Sequence, residues 1–305
     1  MHTAGDDVQD GTDGTWRKLA EALVAAGALP EPGRWTQLAG GRVNRVWRID
    51  GSRSAALVCK LEVGDAANPL FPNDLGAEAT AIRHLAGTGI GPEVTADLPT
   101  LVTTPFGRCL LYPFVPGRPW CARRDDPTAV ARLLSRLHAQ PLPDRAPFRR
   151  LPTSGADIVA MAAPMLAALP SRVAERLRRA QPPANDVGPS RRVVLLHGDP
   201  VPSNIVVGPD GPRFIDWQCP ALGDPAYDAA LFLSPAMQTI YGTGPLPTAA
   251  RAAFLGALAP DLVRRVEEIE PLLRWLLGVF CTFRGHRGSS AHGDAAPLEL
   301  SAART

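Results

Sequence analysis

The stretch "VVLLHGDPVPSNIVV", residues 193 to 207, sets a histidine, an aspartate and an asparagine between two aliphatic runs. Asp199 follows the buried-looking strand "RVVLLH", and Asn204, five positions on, precedes a second apolar run, "IVVG". The turn "PDGP" and the strand "RFIDW" come next, so two short strands form a hairpin with Asn204 at one end and Asp216 at the other. Asp-Pro and Ser-Asn are also ordinary turn formers. As a set, however, hard oxygen ligands from Asn204 and Asp216 near an acid at Asp199 suit magnesium and a polyphosphate rather than zinc.

Upstream, "WTQLAGGRVNRVWRID" reads as strand, Gly-Gly turn, strand, and "SAALVCKLEV" as a third strand with period-two alternation. Leu57, Cys59, Leu61 and Val63 share its apolar face, which leaves Lys60 on the other face beside Val58. A helix is expected from about Asp74 to Ala86. On a helical wheel Leu75, Ala79, Ile82 and Leu85 form one arc, and Glu78 falls inside it. A carboxylate on a core face needs a partner, and Lys60 is the obvious one. Strand-like runs follow at 93 to 97, 100 to 104 and 108 to 115, and helices dominate the remainder. "DDPTAVARLLSRLHAQ" has an Asp cap and Pro127 in its first turn, and 154 to 181 read as two more helices.

Strands first and helices later predict an α+β chain with two lobes: a β-rich N-terminal lobe at 15 to 111 and a mostly helical C-terminal lobe at 117 to 285, each with its own core. The segment "LLYPFVPGRPW" connects them, with a hinge at 112 to 116. A cleft between lobes is the natural ligand site. Residues 1 to 14 and 286 to 305 read as flexible ends, because neither shows apolar periodicity. The second "HGD", at 292 to 294, has Glu299 rather than Asn five positions on and no flanking strands, so it reads as coincidence.

The 305 residues are 45% apolar and carry a net charge of +2, enough for a large core and no argument for a nucleic acid or membrane partner. Five cysteines without C-x-x-C spacing read as reduced thiols in a cytoplasmic protein. The most apolar late stretch, 272 to 283, is only 12 residues long and contains Arg274, short of the roughly 20 a span needs.

"HGDPVPSN" followed by "FIDWQCPALGDPAYDAA" resembles the aminoglycoside phosphotransferase and choline kinase superfamily, which has a protein-kinase-like fold. The resemblance implies that Asp199 accepts the proton of an acceptor hydroxyl, that Asn204 and Asp216 bind Mg2+, and that Lys60, paired with Glu78, holds the phosphates of ATP. It also implies a phosphate-covering turn in "AGGRVN", with Gly40, Gly41 and Asn44, and backbone contacts from Tyr112, Phe114 and Val115 to the adenine. By the same resemblance Asp228 braces the backbone around His197 and Asp199, while Asp224 is the better helix cap. Only eleven residues separate Asp216 from Asp228, too few for a protein kinase's activation segment. The expected function is an ATP-dependent kinase that phosphorylates a hydroxyl of a small metabolite: an amino alcohol such as choline, an aminoglycoside or another sugar.

For a quaternary amine, Trp217, Tyr227, Trp275 and Phe283 are nominal cage residues. For an aminoglycoside, Glu267, Glu268 and Glu270 in "VEEIE" are nominal acids, although such a run is more often a solvated helix face. Two other classes are weighed. A metal-dependent hydrolase using His197, Asp199, Asp216 and Asp224 leaves Lys60 and Glu78 without a role. An inactive kinase-like binding module typically lacks one of Lys60, Asp199, Asn204 or Asp216, and all four are present.

Overall fold

The computed structural model describes residues 14 to 38, 44 to 51, 55 to 63, 68 to 143 and 147 to 302. Gly40, Gly41 and most of the acidic N-terminal segment lie outside the described residues. Helix α1 (Thr15–Ala25) precedes strands β1 (Arg34–Gln37), β2 (Asn44–Asp50) and β3 (Leu57–Glu62), then α2 (Leu75–His84), β4 (Thr100–Thr104) and β5 (Gly107–Pro113). These five strands form one antiparallel sheet in the order β1-β2-β3-β5-β4. The first three make the expected meander. Residues 93 to 97 do not form a strand; a single bridge joins Thr95 to Leu98 there.

The period-two reading of β3 holds because the two faces of the sheet bury different things. Cys59 and Leu61 join Trp47, Ile49, Cys109 and Leu111 under Leu19 and Leu23 of α1. Val58, Leu110 and Tyr112 face the other way, into a core shared with α2 and the helices of the second lobe. Val63, expected on the apolar face, lies beyond the end of β3 and is 46% exposed. The lobes therefore do not keep separate cores as expected: the inner face of the sheet belongs to the larger one.

The second part of the chain comprises β6 (Arg118–Pro119), α3 (Pro127–His138), β7 (Arg149–Arg150), α4 (Gly155–Ala167), α5 (Ser171–Arg179), β8 (Val194–Leu196), β9 (Ile205–Gly208), β10 (Gly211–Phe214), β11 (Ala221–Gly223), α6 (Pro225–Leu233), α7 (Pro235–Tyr241), α8 (Thr248–Gly256), α9 (Pro260–His286) and α10 (Ser290–Ala302). Helix starts follow their caps: Asp74, Asp126, Ser154 and Asp224 each accept backbone N–H bonds from the first turn. The boundary between lobes falls later than expected. Tyr112 and Pro113 are still in β5, opposite Val58 and Leu57, so the connector runs from 114 to 117 before β6 pairs with β9.

The C-terminal segment contradicts the expectation of a flexible tail. Residues 290 to 302 form α10, packed along α9, with His292 and Glu299 buried. The contact mixes glycine with larger side chains: Leu298 and Leu300 pack against the core, and the Phe280 ring meets the edge of His292. A Cβ on Gly278 would stand 2.6 Å from Leu300, and one on Gly285 would stand 2.8 Å from Gly293, so the two helices approach through glycine. Glu299 accepts bonds from Ser234 Oγ and Ala236 N at the start of α7, and Arg274 Nη1 lies 3.5 Å away. Two leucines only two positions apart, small residues and a satisfied carboxylate leave no helical-period stripe to read.

Candidate active site

The loop after β8 is fixed before Asp199 is reached. The Asp228 carboxylate, buried on α6, accepts the backbone N–H of His197 (2.9 Å) and of Gly198 (3.0 Å), and it also meets His138 Nε2 at 3.1 Å. Gly198 has φ +79°, and a Cβ there would lie 2.1 Å from Cys219 O, so only glycine fits. The His197 ring is buried between Phe214 and Trp217. Its Nδ1 accepts from Asp199 N (3.3 Å) and its Nε2 faces Ile215 O (3.0 Å). Burial lowers its pKa, so the ring is a neutral strut rather than a base.

Asn204 ends a single 3-10 turn and turns its amide toward the acid: Nδ2 donates to Asp199 O (3.0 Å) and to Asp199 Oδ2 (3.2 Å). Its Oδ1 accepts, among the described residues, only from Ser203 Oγ at 3.4 Å. Asp199 is half-buried. Burial, followed by the negative charge of Asp216, raises its pKa to about 8, against the Asn204 hydrogen bond and the Arg149 charge.

Across the cleft, Lys60 Nζ donates to both oxygens of Glu78, at 2.9 and 2.7 Å, and to Asp216 Oδ1 at 2.5 Å. Lys60 and Glu78 are almost wholly buried, whereas the Asp216 side chain is 35% exposed. The two carboxylates hold the ammonium charged against the cost of its burial, and its pKa is raised. Asp216 sits at φ +59°, a left-handed conformation costly for a non-glycine residue. Trp217 and Gln218 pin the chain that follows it. Trp217 is buried beside His197, the Gln218 side chain meets Asn44 Nδ2 at 3.4 Å, and Gln218 O accepts from Asp74 N.

The structure thus brings Asp199, Asn204, Asp216, Lys60 and Glu78 into one connected array. Asn44 is occupied differently from the expectation: its amide exchanges hydrogen bonds with Asn73 at 2.9 and 2.8 Å, which ties β2 to the segment entering α2. Among the connector residues, Phe114 N donates to Ala56 O, and Pro116 has no N–H. Val115 N is left as a donor without a backbone partner among the described residues.

The nominal acceptor residues fare less well. Trp217, Tyr227, Trp275 and Phe283 are all buried in the core, and Trp275 Nε1 is bonded to Leu177 O, so they form no open cage. Glu270 is paired with Arg251 and Arg274, and Glu268 with Arg265. The hydrolase set is likewise committed: His197 uses both ring nitrogens, and Asp224 caps α6 and pairs with Arg265 at 2.7 Å. Among the described residues no cluster of three His, Cys, Asp or Glu could hold a metal. One amide oxygen and one carboxylate are instead the protein share expected where substrate phosphates complete a magnesium shell.

Residues 34 to 269 match the phosphotransferase enzyme family, and the chain belongs to that family. Among solved structures it is similar to a choline/ethanolamine kinase family protein from Mesorhizobium loti (19% identity, 93% of this chain and 94% of that one, TM-score 0.61). It is also similar to macrolide 2'-phosphotransferase from Brachybacterium faecium (20%, 94% and 98%, 0.57). A third is a spectinomycin phosphotransferase solved with ADP and its antibiotic (15%, 89% and 92%, 0.52). These likenesses establish a kinase-like α+β fold, as expected from the sequence. No curated protein matches by sequence.

Proposed function

We propose that the protein is an ATP-dependent small-molecule kinase that transfers the γ-phosphate to a hydroxyl group. The observation that carries this reading is the pair of devices facing one cleft: Asp199 held by Asn204 on one side, and Lys60 held between Glu78 and Asp216 on the other. Val115 N would meet the adenine at the connector, and Lys60 would meet the phosphates once its bond to Asp216 is exchanged for them. Asn204 Oδ1 and Asp216 would hold magnesium, which when bound offsets charge on the phosphates. Asp199 accepts the proton of the acceptor hydroxyl as that oxygen attacks the γ-phosphorus, and ADP leaves.

The family and the nucleotide-bound structure of similar fold support nucleotide use. The acceptor is a hydroxylated small molecule, and neither a nucleic acid nor a membrane is part of the proposal. No helix among the described residues is long and apolar enough to cross a membrane. The five cysteines are free, which agrees with a reducing cytoplasm as the proposed place of action. The test is magnesium-dependent ADP release over a panel of hydroxylated amines, sugars and acids, with calorimetry of ATP alone. Absence of ATP affinity at millimolar nucleotide and magnesium would contradict the reading.

A further inference from the structure

Arg149 lies next to the loop that carries Asp199, and nothing above gives it a task. In β7 it pairs parallel with β11 opposite Ala221, which itself faces Leu196 at the end of β8, three residues before Asp199. Its Nη2 donates to Leu70 O at 2.7 Å, in the segment leading to α2. Its Nε is buried and has no partner among the described residues. Among the described residues no carboxylate forms an ion pair with it, whereas Arg265 and Arg274 of α9 are each matched.

A guanidinium has five N–H donors and stays charged at every pH the protein meets. Half-buried with one carbonyl for a partner, Arg149 bears an uncompensated charge and an unsatisfied donor, both of which cost stability. Its charge is felt by the groups around the base: burial raises the pKa of Asp199, of Tyr227 and of Cys219, and the Arg149 charge opposes that rise in all three. Lys60, by contrast, is already matched by Glu78 and Asp216. The neighbourhood of Asp199 therefore has a spare positive charge, while the nominal cage aromatics are buried and Glu268 and Glu270 are paired.

We propose that Arg149 is a specificity residue that binds an anionic group of the acceptor, so the substrate carries a carboxylate or phosphate beside the hydroxyl that Asp199 deprotonates. The inference rests on the kinase reading. A planar guanidinium matches either anion through two parallel hydrogen bonds. It would also keep the acceptor's charge from repelling the triphosphate and from further discouraging ionisation of Asp199.

The test is a panel of small acceptors differing in charge: glycolate and glycerate, glycerol 3-phosphate, the neutral glycerol and ethylene glycol, and the cationic ethanolamine and choline. Magnesium-dependent ADP formation is measured for the wild type, Arg149→Gln and Arg149→Lys, with nucleotide affinity and Tm recorded for each. The anionic acceptors are expected to exceed their neutral counterparts by about 10²-fold in kcat/KM. Arg149→Gln should raise KM for them by a similar factor, over and above a smaller loss of kcat that all acceptors share through Asp199, and Arg149→Lys should recover part of both. The carboxylate and phosphate arms tell which anion is preferred. If magnesium-nucleotide binding is intact but a cationic or neutral acceptor matches the anionic ones, none is phosphorylated, or Arg149→Gln affects all acceptors alike, the assignment is overturned and the kinase reading stands. Absence of nucleotide binding in the wild type would remove the kinase reading itself.

Discussion

Glu78 on α2 and Glu299 on α10 are both fully buried, yet their partners differ in kind. Glu78 gives both oxygens to the Lys60 ammonium, which also reaches Asp216 at the cleft. Glu299 is satisfied chiefly by neutral donors, the Ser234 hydroxyl and the Ala236 N–H at the start of α7, with Arg274 at longer range. Burial pushes the pKa of each upward, and each needs its partners to remain inside. One set of partners faces the ligand and the other joins helices. A buried acid therefore announces a partner, and the position of that partner decides whether the acid serves turnover or assembly.

The strongest way to break this contrast is at Glu78. Lys60→Ala and Glu78→Gln are each expected to lower kcat/KM by at least ~10²-fold, as loss of transition-state positioning does. The double variant should be little worse than the poorer single one, because the two act as a unit. Glu78→Gln also takes a charge partner from a buried ammonium and so lowers Tm, but with Asp216 still on Lys60 the kinetic loss should be the dominant effect. Simple additivity in the kinetic cycle would show that the pair does not act together.

Glu299→Ala should do the reverse. It strands Ser234 Oγ and Ala236 N in the core, a cost of about 1–3 kcal/mol. Thermal unfolding should show a Tm lower by several degrees, while KM and kcat of the folded protein stay within about twofold. Removing residues 288 to 305 should lower Tm further, because it uncovers the glycine face of α9. An unchanged Tm in that truncation would mean that α10 does not pack.

The smallest effect concerns the base. Folded Asp199 keeps its proton up to about pH 8, whereas an unfolded aspartate loses it near 3.9. Between those values the folded state binds more protons, so this group's contribution is complete below the unfolded value and is lost as pH rises through 8. Without nucleotide or divalent cation, Asp199→Asn should match the wild-type Tm near pH 4. At pH 8 it should exceed it by roughly 2–4 °C, corresponding to ~1 kcal/mol for a carboxylate open to solvent on one side. Identical Tm profiles would show that the acid ionises normally. With acceptor and nucleotide present, wild-type kcat/KM should climb toward pH 8.

The opening stretch was readable because strand, turn and hairpin signals coincide there with oxygen ligands whose spacing has a chemical reason. Lys60 and Glu78 were readable for the same reason: period two and period 3.6 each left one charged residue on a buried face. Period says little in a helix whose large apolar residues, Leu298 and Leu300, stand two positions apart, and that hid α10, whose contact also uses Gly278, Gly285 and Glu299. Arg149 was hidden differently. A two-residue strand has no periodicity, and its pairing with β11 joins segments 72 residues apart in the chain. The pairing of Asn44 with Asn73 was not legible, because Asn73 lies in a loop whose path only tertiary packing defines.

The central claim, that Asp199 serves the acceptor while Asp216 serves the nucleotide, is tested most directly by measuring magnesium-nucleotide Kd and kcat for Asp199→Asn and Asp216→Asn side by side. Asp199→Asn should retain nucleotide affinity and lose kcat by ~10²–10⁴, as expected for a missing general base. Asp216→Asn should weaken magnesium-dependent nucleotide binding as well as turnover, because the carboxylate that would anchor the cation is gone. Loss of nucleotide binding in Asp199→Asn, with binding intact in Asp216→Asn, would contradict the account.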